Sequence, residues 1–497
     1  MRGLEILLLL TDLTALAYLL FSGPITRRGL IAIGAGCLLA LGGHLLFEGF
    51  RWQMVFIYLA GIFFPGLAFL KYSGSSERRA HKRIYKVCLS AAALFFLSIS
   101  AFLSVAMPVL NLPAPTGAYR VGTQTFHFID AARDESLTED GKDKRELMVQ
   151  VWYPASDSEK TGALLFPEDR DVFGKYIREY SKRLNLPAFV LDYWKYMRTN
   201  SVDKAQLLPS DQPYPVVVLC HGMGTGRVLH ASQAENLASH GYIAIAADHT
   251  YSTTATAFPD GRITGLETSM NIKNMGEIDA KVGLIWEKDV EFLTDQLEKI
   301  NSGEIVKGFE GKIDLDRIGI MGHSFGGSVA YNAVNMSGRI KAGINMDGTL
   351  FELGGSRRMH RPFMFITNDT YEKRMEIFKK PVVTDADLAL AHLTRENYAI
   401  LKPIMDEERE ILDDIVGNQG ISIRVEGTEH YNFTDFQLFS ELLGATGMTG
   451  KIKGGRGAAI INRYVLDFFD HYLKGTGGNL LSGPSPEFPE VSFGAPD

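Results

Sequence analysis

One short segment has the residue types and order that a nucleophilic serine needs. Residues 317–327 read RIGIMGHSFGG, in which a strand-like run leads into a G-x-S-x-G pattern and then into a helical stretch. Such a context is typical of a nucleophile elbow, a sharp turn that needs glycines on both sides of an exposed serine. Ser324 is therefore the candidate nucleophile. The neighbours expected to support the turn are Gly322, His323 and Gly326.

A serine hydroxyl is a poor nucleophile at neutral pH, so it needs a neighbouring base that a carboxylate orients. His430 lies in the loop just after the strand-like run at 421–425 and is the candidate base. His471 is a later alternative, although it lies in an amphipathic, helix-like segment. For the acid, Asp347 and Asp369 each follow a strand-like run, at 342–346 and 363–367. Either of these two carboxylates could face the histidine.

The tetrahedral intermediate of ester hydrolysis also requires hydrogen-bond donors aimed at its oxyanion. The residue after the nucleophile, Phe325, is expected to supply one backbone N–H group, and Met223 the other, from the loop that follows the strand-like run at 216–220. His221 and Gly222 would support this loop. His249 and Tyr251, which follow the strand-like run at 243–247, are candidates to line the substrate pocket or to support the loop.

The first 110 residues have the pattern of a membrane anchor. Four apolar stretches, at about 4–21, 29–47, 52–70 and 84–110, each approach the roughly 20 residues that span a bilayer. We therefore predict four transmembrane helices, and a cleaved signal peptide is the alternative for the first stretch. Basic residues are concentrated in the first and third turns, which predicts a cytoplasmic side for both. The rest of the chain would then lie outside the cytoplasm.

The remaining residues, 111–497, have the pattern of one α/β domain. Two prolines in 111–117 mark the boundary, and short apolar runs then alternate with helical segments. This alternation predicts a doubly wound, mostly parallel sheet with right-handed crossovers. A charged, helix-like insertion at about 371–416 interrupts it and could be a lid or a surface excursion.

Composition and motifs exclude several other functions. The net charge of −7 gives no basic surface for nucleic acid. The three cysteines are far apart in sequence and encode no disulfide framework or zinc site. No phosphate-binding or dinucleotide-binding glycine motif is present, and no dense group of metal ligands is apparent. We expect no cofactor, no catalytic metal and no partner protein, and a lipid or other ester as substrate.

Five segments together resemble the platelet-activating factor acetylhydrolase family. They are CHGMGTGR at 220–227, LASHGYIAIAADH at 237–249, RIGIMGHSFGG at 317–327, AGINMDGTLF at 342–351 and EHYNFTDF at 429–436. The resemblance covers about residues 115–475. It implies an α/β-hydrolase fold in which Ser324 is the nucleophile, Asp347 the acid and His430 the base, with Met223 and Phe325 as oxyanion donors.

The same resemblance implies calcium-independent hydrolysis of short or oxidised acyl chains at the sn-2 position of phospholipids. The membrane unit and the separation of 83 positions between acid and base depart from the family pattern. The alternative activity is that of a broad carboxylesterase or lipase, including a cutinase-like polyester hydrolase. A serine peptidase is a further hypothesis for the enzyme activity. A catalytically silent membrane sensor or binding module is the alternative outside enzymes.

Overall fold

The computed structural model describes residues 1–73, 82–139, 141–156, 162–268, 270–353, 361–391, 393–418 and 420–494. These residues form two compact units. One unit comprises Met1–Leu110 with Pro187–Tyr196, and the other comprises Asn111–Leu186 with Met197–Asp497. The division after residue 110 lies where the prolines suggest a boundary, whereas the grouping of Pro187–Tyr196 with the N-terminal unit has no signal in the sequence.

The N-terminal unit contains four helices that are long and apolar enough to cross a membrane. They are α1 (Gly3–Phe21), α2 (Arg27–Phe47), α3 (Val55–Tyr72) and α4 (Lys82–Ala106). Their contacting faces bury apolar side chains, including Leu8, Cys37 and Phe64. Near the beginning of α1, Glu5 accepts a hydrogen bond of 2.7 Å from the Arg51 guanidinium, and both side chains are fully buried. The fold thus pairs two charged side chains that lie far apart in the sequence.

The C-terminal unit is built on a ten-stranded sheet in the order β12-β11-β10-β9-β8-β4-β5-β2-β1-β3. Its strands are β1 (Arg120–Asp134), β2 (Lys144–Ala155), β3 (Val202–Asp203), β4 (Tyr214–Cys220), β5 (Ile243–Asp248), β8 (Ile313–His323), β9 (Ile340–Met346), β10 (Phe363–Thr367), β11 (Ile421–Val425) and β12 (Val491–Phe493). A separate pair is formed by β6 (Thr256–Ala257) and β7 (Ile263–Thr264).

Six neighbouring strands, β5, β4, β8, β9, β10 and β11, are parallel, which confirms the predicted mostly parallel sheet. The central strands are continuous apolar runs because helices cover both faces of the sheet. All residues of β4 and β5 are buried accordingly. In contrast, β2 pairs antiparallel with both β1 and β5, and β12 pairs antiparallel with β11.

Within the described residues, eight α-helices of this unit follow or connect the strands. They are α5 (Arg170–Leu184), α6 (Ala231–Ser239), α7 (Met275–Asn301), α8 (Phe325–Met336), α9 (Asp369–Lys379), α10 (Asp385–Leu390), α11 (Arg395–Gly417) and α12 (Gly454–Phe469). The charged insertion consists of α9, α10 and α11. Because parallel strands end at the same edge, the loops after β4, β8, β9, β10 and β11 meet there. Register pairs Cys220 with Gly322 and His323 with Met346 at this edge.

Candidate active site

The turn between β8 and α8 holds Ser324 in a strained conformation. Its backbone has φ 54° and ψ −127°, in the left-handed half of conformational space that non-glycine residues rarely occupy. Gly322 and Gly326 make the turn possible, because a Cβ atom at Gly322 would lie 2.0 Å from the carbonyl oxygen of Gly326. A Cβ atom at Gly326 would lie 2.3 Å from the carbonyl oxygen of His221. The strain thus presents the serine side chain at the strand edge.

His430 connects the serine to Asp347. Its Nε2 atom lies 3.0 Å from Ser324 Oγ, and its Nδ1 atom lies 2.5 Å from Asp347 Oδ2. Since the carboxylate can only accept, Nδ1 carries the proton and Nε2 has a lone pair for the serine hydroxyl. The imidazole is 42% exposed and the aspartate side chain 5%. Asn368 Nδ2 donates a second hydrogen bond of 2.6 Å to Asp347 Oδ2, which fixes the carboxylate.

Asp369, the alternative acid, is bonded elsewhere. It is the first residue of α9, and its Oδ2 accepts the backbone N–H of Gly427 at 2.9 Å. The geometry therefore favours Asp347 as the partner of His430. His471, the alternative base, lies in a single π-helical turn at Asp470–Lys474 and is absent from the cavity around the serine.

Of the two residues predicted as oxyanion donors, Met223 lies in the loop after β4 and Phe325 is the first residue of α8. Among the described residues, the backbone N–H groups of Met223 and Phe325 donate to no backbone carbonyl, so both are free to bind an oxyanion. The loop is held by the buried imidazole of His221. Its Nε2 accepts the backbone N–H of His249 at 3.0 Å, so its proton is on Nδ1, which donates to the Gly222 carbonyl at 2.8 Å. Burial lowers the pKa of His221 well below its usual value and keeps it neutral.

His249 backs this loop from inside the protein. Its Nδ1 lies 2.8 Å from Asp289 Oδ2, which Arg145 Nη2 also binds at 2.5 Å. Its ring stacks on Trp286 with centroids 3.8 Å apart. Neither His249 nor Tyr251 is among the residues that line the cavity at the serine. The imidazole of His249 is buried, and the backbone N–H of His249 donates to His221 in the loop after β4.

Ser324, Asp347 and His430 face a cavity of about 290 Å³. Its wall includes apolar side chains and residues of the first two turns of α9. The lining residues besides Ser324, Asp347 and His430 are Met270, Met275, Asp279, Phe325, Ser328, Thr349, Phe351, Asn368, Thr370, Tyr371, Arg374 and Glu429. The charged insertion is thus more than a surface excursion, since α9 contributes part of the wall. In the described ranges, no group of three or more His, Cys, Asp or Glu side chains is arranged to hold a metal.

The sequence of this chain matches a known protein family. A model of the family described as platelet-activating factor acetylhydrolase, isoform II, matches residues 105–477. The chain belongs to this family. It is 23% identical to the platelet-activating factor acetylhydrolase of Cavia porcellus over 67% of this chain and 74% of that protein. It is 27% identical to a probable 1-alkyl-2-acetylglycerophosphocholine esterase of Arthroderma benhamiae over 56% of this chain and 66% of that protein.

A solved structure extends the family assignment to the fold. The ferulic acid esterase from Streptomyces cinnamoneus has a TM-score of 0.59 and 26% identity, over 78% of this chain and 100% of that chain. Together with the sheet topology, this confirms the predicted α/β-hydrolase fold. As a family member with these relatives, the protein is an enzyme that hydrolyses esters.

Three positioning contacts around the site were missed by sequence reasoning. Besides Asn368, they involve His323, whose Nε2 donates to the backbone carbonyl of His430 at 2.9 Å. They also involve the buried carboxyl of Asp435, which accepts the backbone N–H of Ser232 at 2.9 Å and the Ser232 hydroxyl. Asp435 thereby satisfies an N-terminal N–H of α6 and fixes the loop that carries His430. The sequence signal that could have identified Asp435 was its position in the same short motif as His430.

His323 allows a test of how the base is positioned. Replacing it with leucine leaves the His430 carbonyl without its donor, and we expect kcat to fall about 10- to 100-fold with little change in KM, because small misplacements of a catalytic group are costly. Glutamine places an amide N–H near the position of Nε2, so His323→Gln should retain activity within a few-fold. Steady-state kinetics on one ester, with matched melting temperatures, measures both. Equal activity of the two variants would contradict a positioning role.

Proposed function

We propose that the protein is a membrane-anchored serine esterase that hydrolyses short-acyl or oxidised sn-2 esters of phospholipids. The hydrogen-bonded series Ser324, His430 and Asp347, at 3.0 and 2.5 Å in a cavity of about 290 Å³, is the observation that carries the proposal. A cavity near the lower end of the roughly 300–1,000 Å³ usual for ligand sites favours a small acyl group. The names of the relatives from Cavia porcellus and Arthroderma benhamiae support the phospholipid class.

The geometry supports a double displacement. Ser324 Oγ attacks the ester carbonyl while His430 Nε2 takes its proton, and the N–H groups of Met223 and Phe325 bind the oxyanion. The intermediate collapses as His430 gives that proton to the departing alcohol oxygen. A water molecule, deprotonated by His430, then attacks the acyl-enzyme, and the imidazolium returns the proton to Ser324 as the acid leaves. Asp347 holds the imidazole tautomer throughout and stabilises its charged form.

Acyl-chain selectivity tests the proposed substrate. Wild type and Ser324→Ala are compared in one detergent on phosphatidylcholines that carry acetyl or palmitoyl at sn-2. We expect serine-dependent acetate release with a kcat/KM at least 100-fold above that for palmitate, since the cavity is small. Equal rates would contradict a restrictive pocket. Cleavage of simple aryl esters with neither phospholipid attacked would instead favour a broad carboxylesterase, which the likeness to ferulic acid esterase supports.

We also propose that the four N-terminal helices anchor the enzyme, with the catalytic unit outside the cytoplasm. Cysteine labelling in intact cells tests this orientation. Because Cys37 and Cys220 are buried and Cys88 is exposed, single reporters are placed in a Cys88→Ser background. We expect Lys307→Cys, at an exposed site of the catalytic unit, to react with an impermeant maleimide added outside. Arg28→Cys, at the beginning of α2, should react only after permeabilisation, and the reverse pattern would overturn the orientation.

A further inference from the structure

The cavity at Ser324 ends in a carboxyl group that the proposed mechanism does not use. Asp279 lies on α7 and is only 8% exposed, yet it lines the cavity. Within the part of the chain that the structure describes, its carboxyl group has no hydrogen-bond partner and no ion pair. A buried polar group without a partner is costly, so such groups usually have a structural or functional reason. Here the remaining exposed surface faces the space that a substrate would fill.

Contacts lead from the nucleophile to α7 through two phenylalanine residues. His430 must protonate the departing alcohol oxygen, so the alcohol portion of an ester lies towards His430, and the acyl group extends away from it. Phe325, the residue after Ser324, contacts Phe351, with ring centroids 5.7 Å apart. Phe351 in turn packs against α7 at Gly283, where an added Cβ atom would lie 3.2 Å from its ring.

Helical periodicity then connects this aromatic wall to the carboxyl group. Residues four apart lie on one helix face, so Met275, Asp279 and Gly283 form a single face of α7. Both Met275 and Asp279 line the cavity, as does Met270. An acyl group that extends along this wall would meet methionine and phenylalanine side chains and the carboxyl group of Asp279. An unsubstituted alkyl chain would leave that carboxyl group without a partner.

The chemistry of the carboxyl group limits which acyl groups fit. Burial, reinforced by the nearby carboxylate of Glu407, raises the pKa of Asp279 to about 7, so both protonation states are populated near neutral pH. A hydroxyl group can donate to the ionised form and accept from the protonated form. An aldehyde can only accept, and a terminal carboxylate would meet the ionised form with like charge. Of these three end groups, only the hydroxyl group satisfies Asp279 in both states.

We propose that Asp279 is a specificity-determining residue that selects esters whose acyl group carries a hydroxyl near its far end, aliphatic or phenolic. This inference rests on the proposed serine esterase function and narrows its substrate class. A site built to hydrogen-bond a substrate hydroxyl rejects the analogue that lacks it, because the buried polar group is then left unpaired. Apolar residues around the carboxyl group make that penalty larger than it would be in water.

The test uses methyl esters that differ only at the end of the acyl chain. Methyl hexanoate, methyl 6-hydroxyhexanoate and monomethyl adipate are matched in length, and methyl cinnamate with methyl 4-hydroxycinnamate gives a rigid second pair. For the wild type we expect kcat/KM at least tenfold higher for the hydroxylated member of one or both pairs, and lowest for the adipate. Asp279→Leu should lose this preference, so that the ratio of kcat/KM for the hydroxylated and unsubstituted esters falls to about one.

Two controls make the outcome decisive. Asp279→Asn keeps a donor and an acceptor and should retain the preference, whereas Asp295→Asn, on the exposed side of the same helix, should change nothing. Equal preference in the wild type and Asp279→Leu would overturn the inference. Preference for the adipate would also overturn it and would point to Arg374 in the same cavity. Loss of all Ser324-dependent hydrolysis in the wild type would instead contradict the proposed function itself.

Discussion

Replacing Ser324 with alanine will lower kcat for ester hydrolysis by about 10⁵-fold, because the nucleophile, base and acid of such a site act as a unit. The residual rate will come from substrate binding and from the two oxyanion N–H groups, which the substitution leaves in place. KM should change little. The measurement is the initial rate of acetate release from a phospholipid, with an excess of enzyme to reach the low rate of the variant.

Ser328 provides a matched control for this result. It lies one helical turn further along α8, lines the same cavity and donates its hydroxyl to the Thr349 carbonyl. Ser328→Ala should therefore keep kcat within a few-fold. A fluorophosphonate, which phosphonylates nucleophilic serines with loss of fluoride, should label wild type and Ser328→Ala, and should leave Ser324→Ala unlabelled. Activity of Ser324→Ala within tenfold of the wild type would exclude Ser324 as the nucleophile.

The elements that position the site are predictable because their signals are local. Strands β4, β5, β9 and β10 are short continuous apolar runs, as expected for parallel strands covered on both faces. The turn at Ser324 is marked by the glycines on which its backbone depends. Since parallel strands end at one edge, listing the polar residues after each strand already brings Ser324, His430 and the two candidate acids together.

The contacts that refine the site depend on residues far apart in the chain. His323 reaches the carbonyl of His430 across 107 positions, and Asp435 reaches Ser232 across 203. No periodicity or turn motif records such pairs, because they exist only once the sheet has formed. The long first strand, β1, was missed for a different reason. Its residues alternate irregularly between buried and exposed, so its pattern resembles neither a buried nor a half-buried strand.

The choice between the two candidate acids also depends on contacts that form only in the folded protein. Both Asp347 and Asp369 follow a strand, and their spacing to His430 gives no physical preference. The backbone of Asp347 has φ 56°, a conformation that aspartate tolerates better than most residues, and it turns the side chain towards His430. Asp369 instead begins α9, where its carboxylate is used to bind the next loop at Gly427.

Asp347→Ala will lower kcat by about 10⁴-fold, the second largest effect expected, because His430 loses both the partner that fixes its tautomer and the charge that stabilises its imidazolium. Asp369→Ala should keep kcat within a few-fold and cost about 1 kcal/mol of stability, since it removes the hydrogen bond to Gly427. Kinetics on one ester, together with thermal melting of both variants, separates the two roles.

Alanine is preferable to asparagine at position 347 for a structural reason. Asn368 donates to Asp347 Oδ2, the same oxygen that accepts from His430. An asparagine at 347 would direct its amide oxygen towards both donors, so it would preserve the imidazole tautomer and remove only the charge. Asp347→Asn should therefore be more active than Asp347→Ala, and the ratio of the two measures what orientation contributes apart from charge. A large loss in Asp369→Ala with little loss in Asp347→Ala would reverse the assignment of the acid.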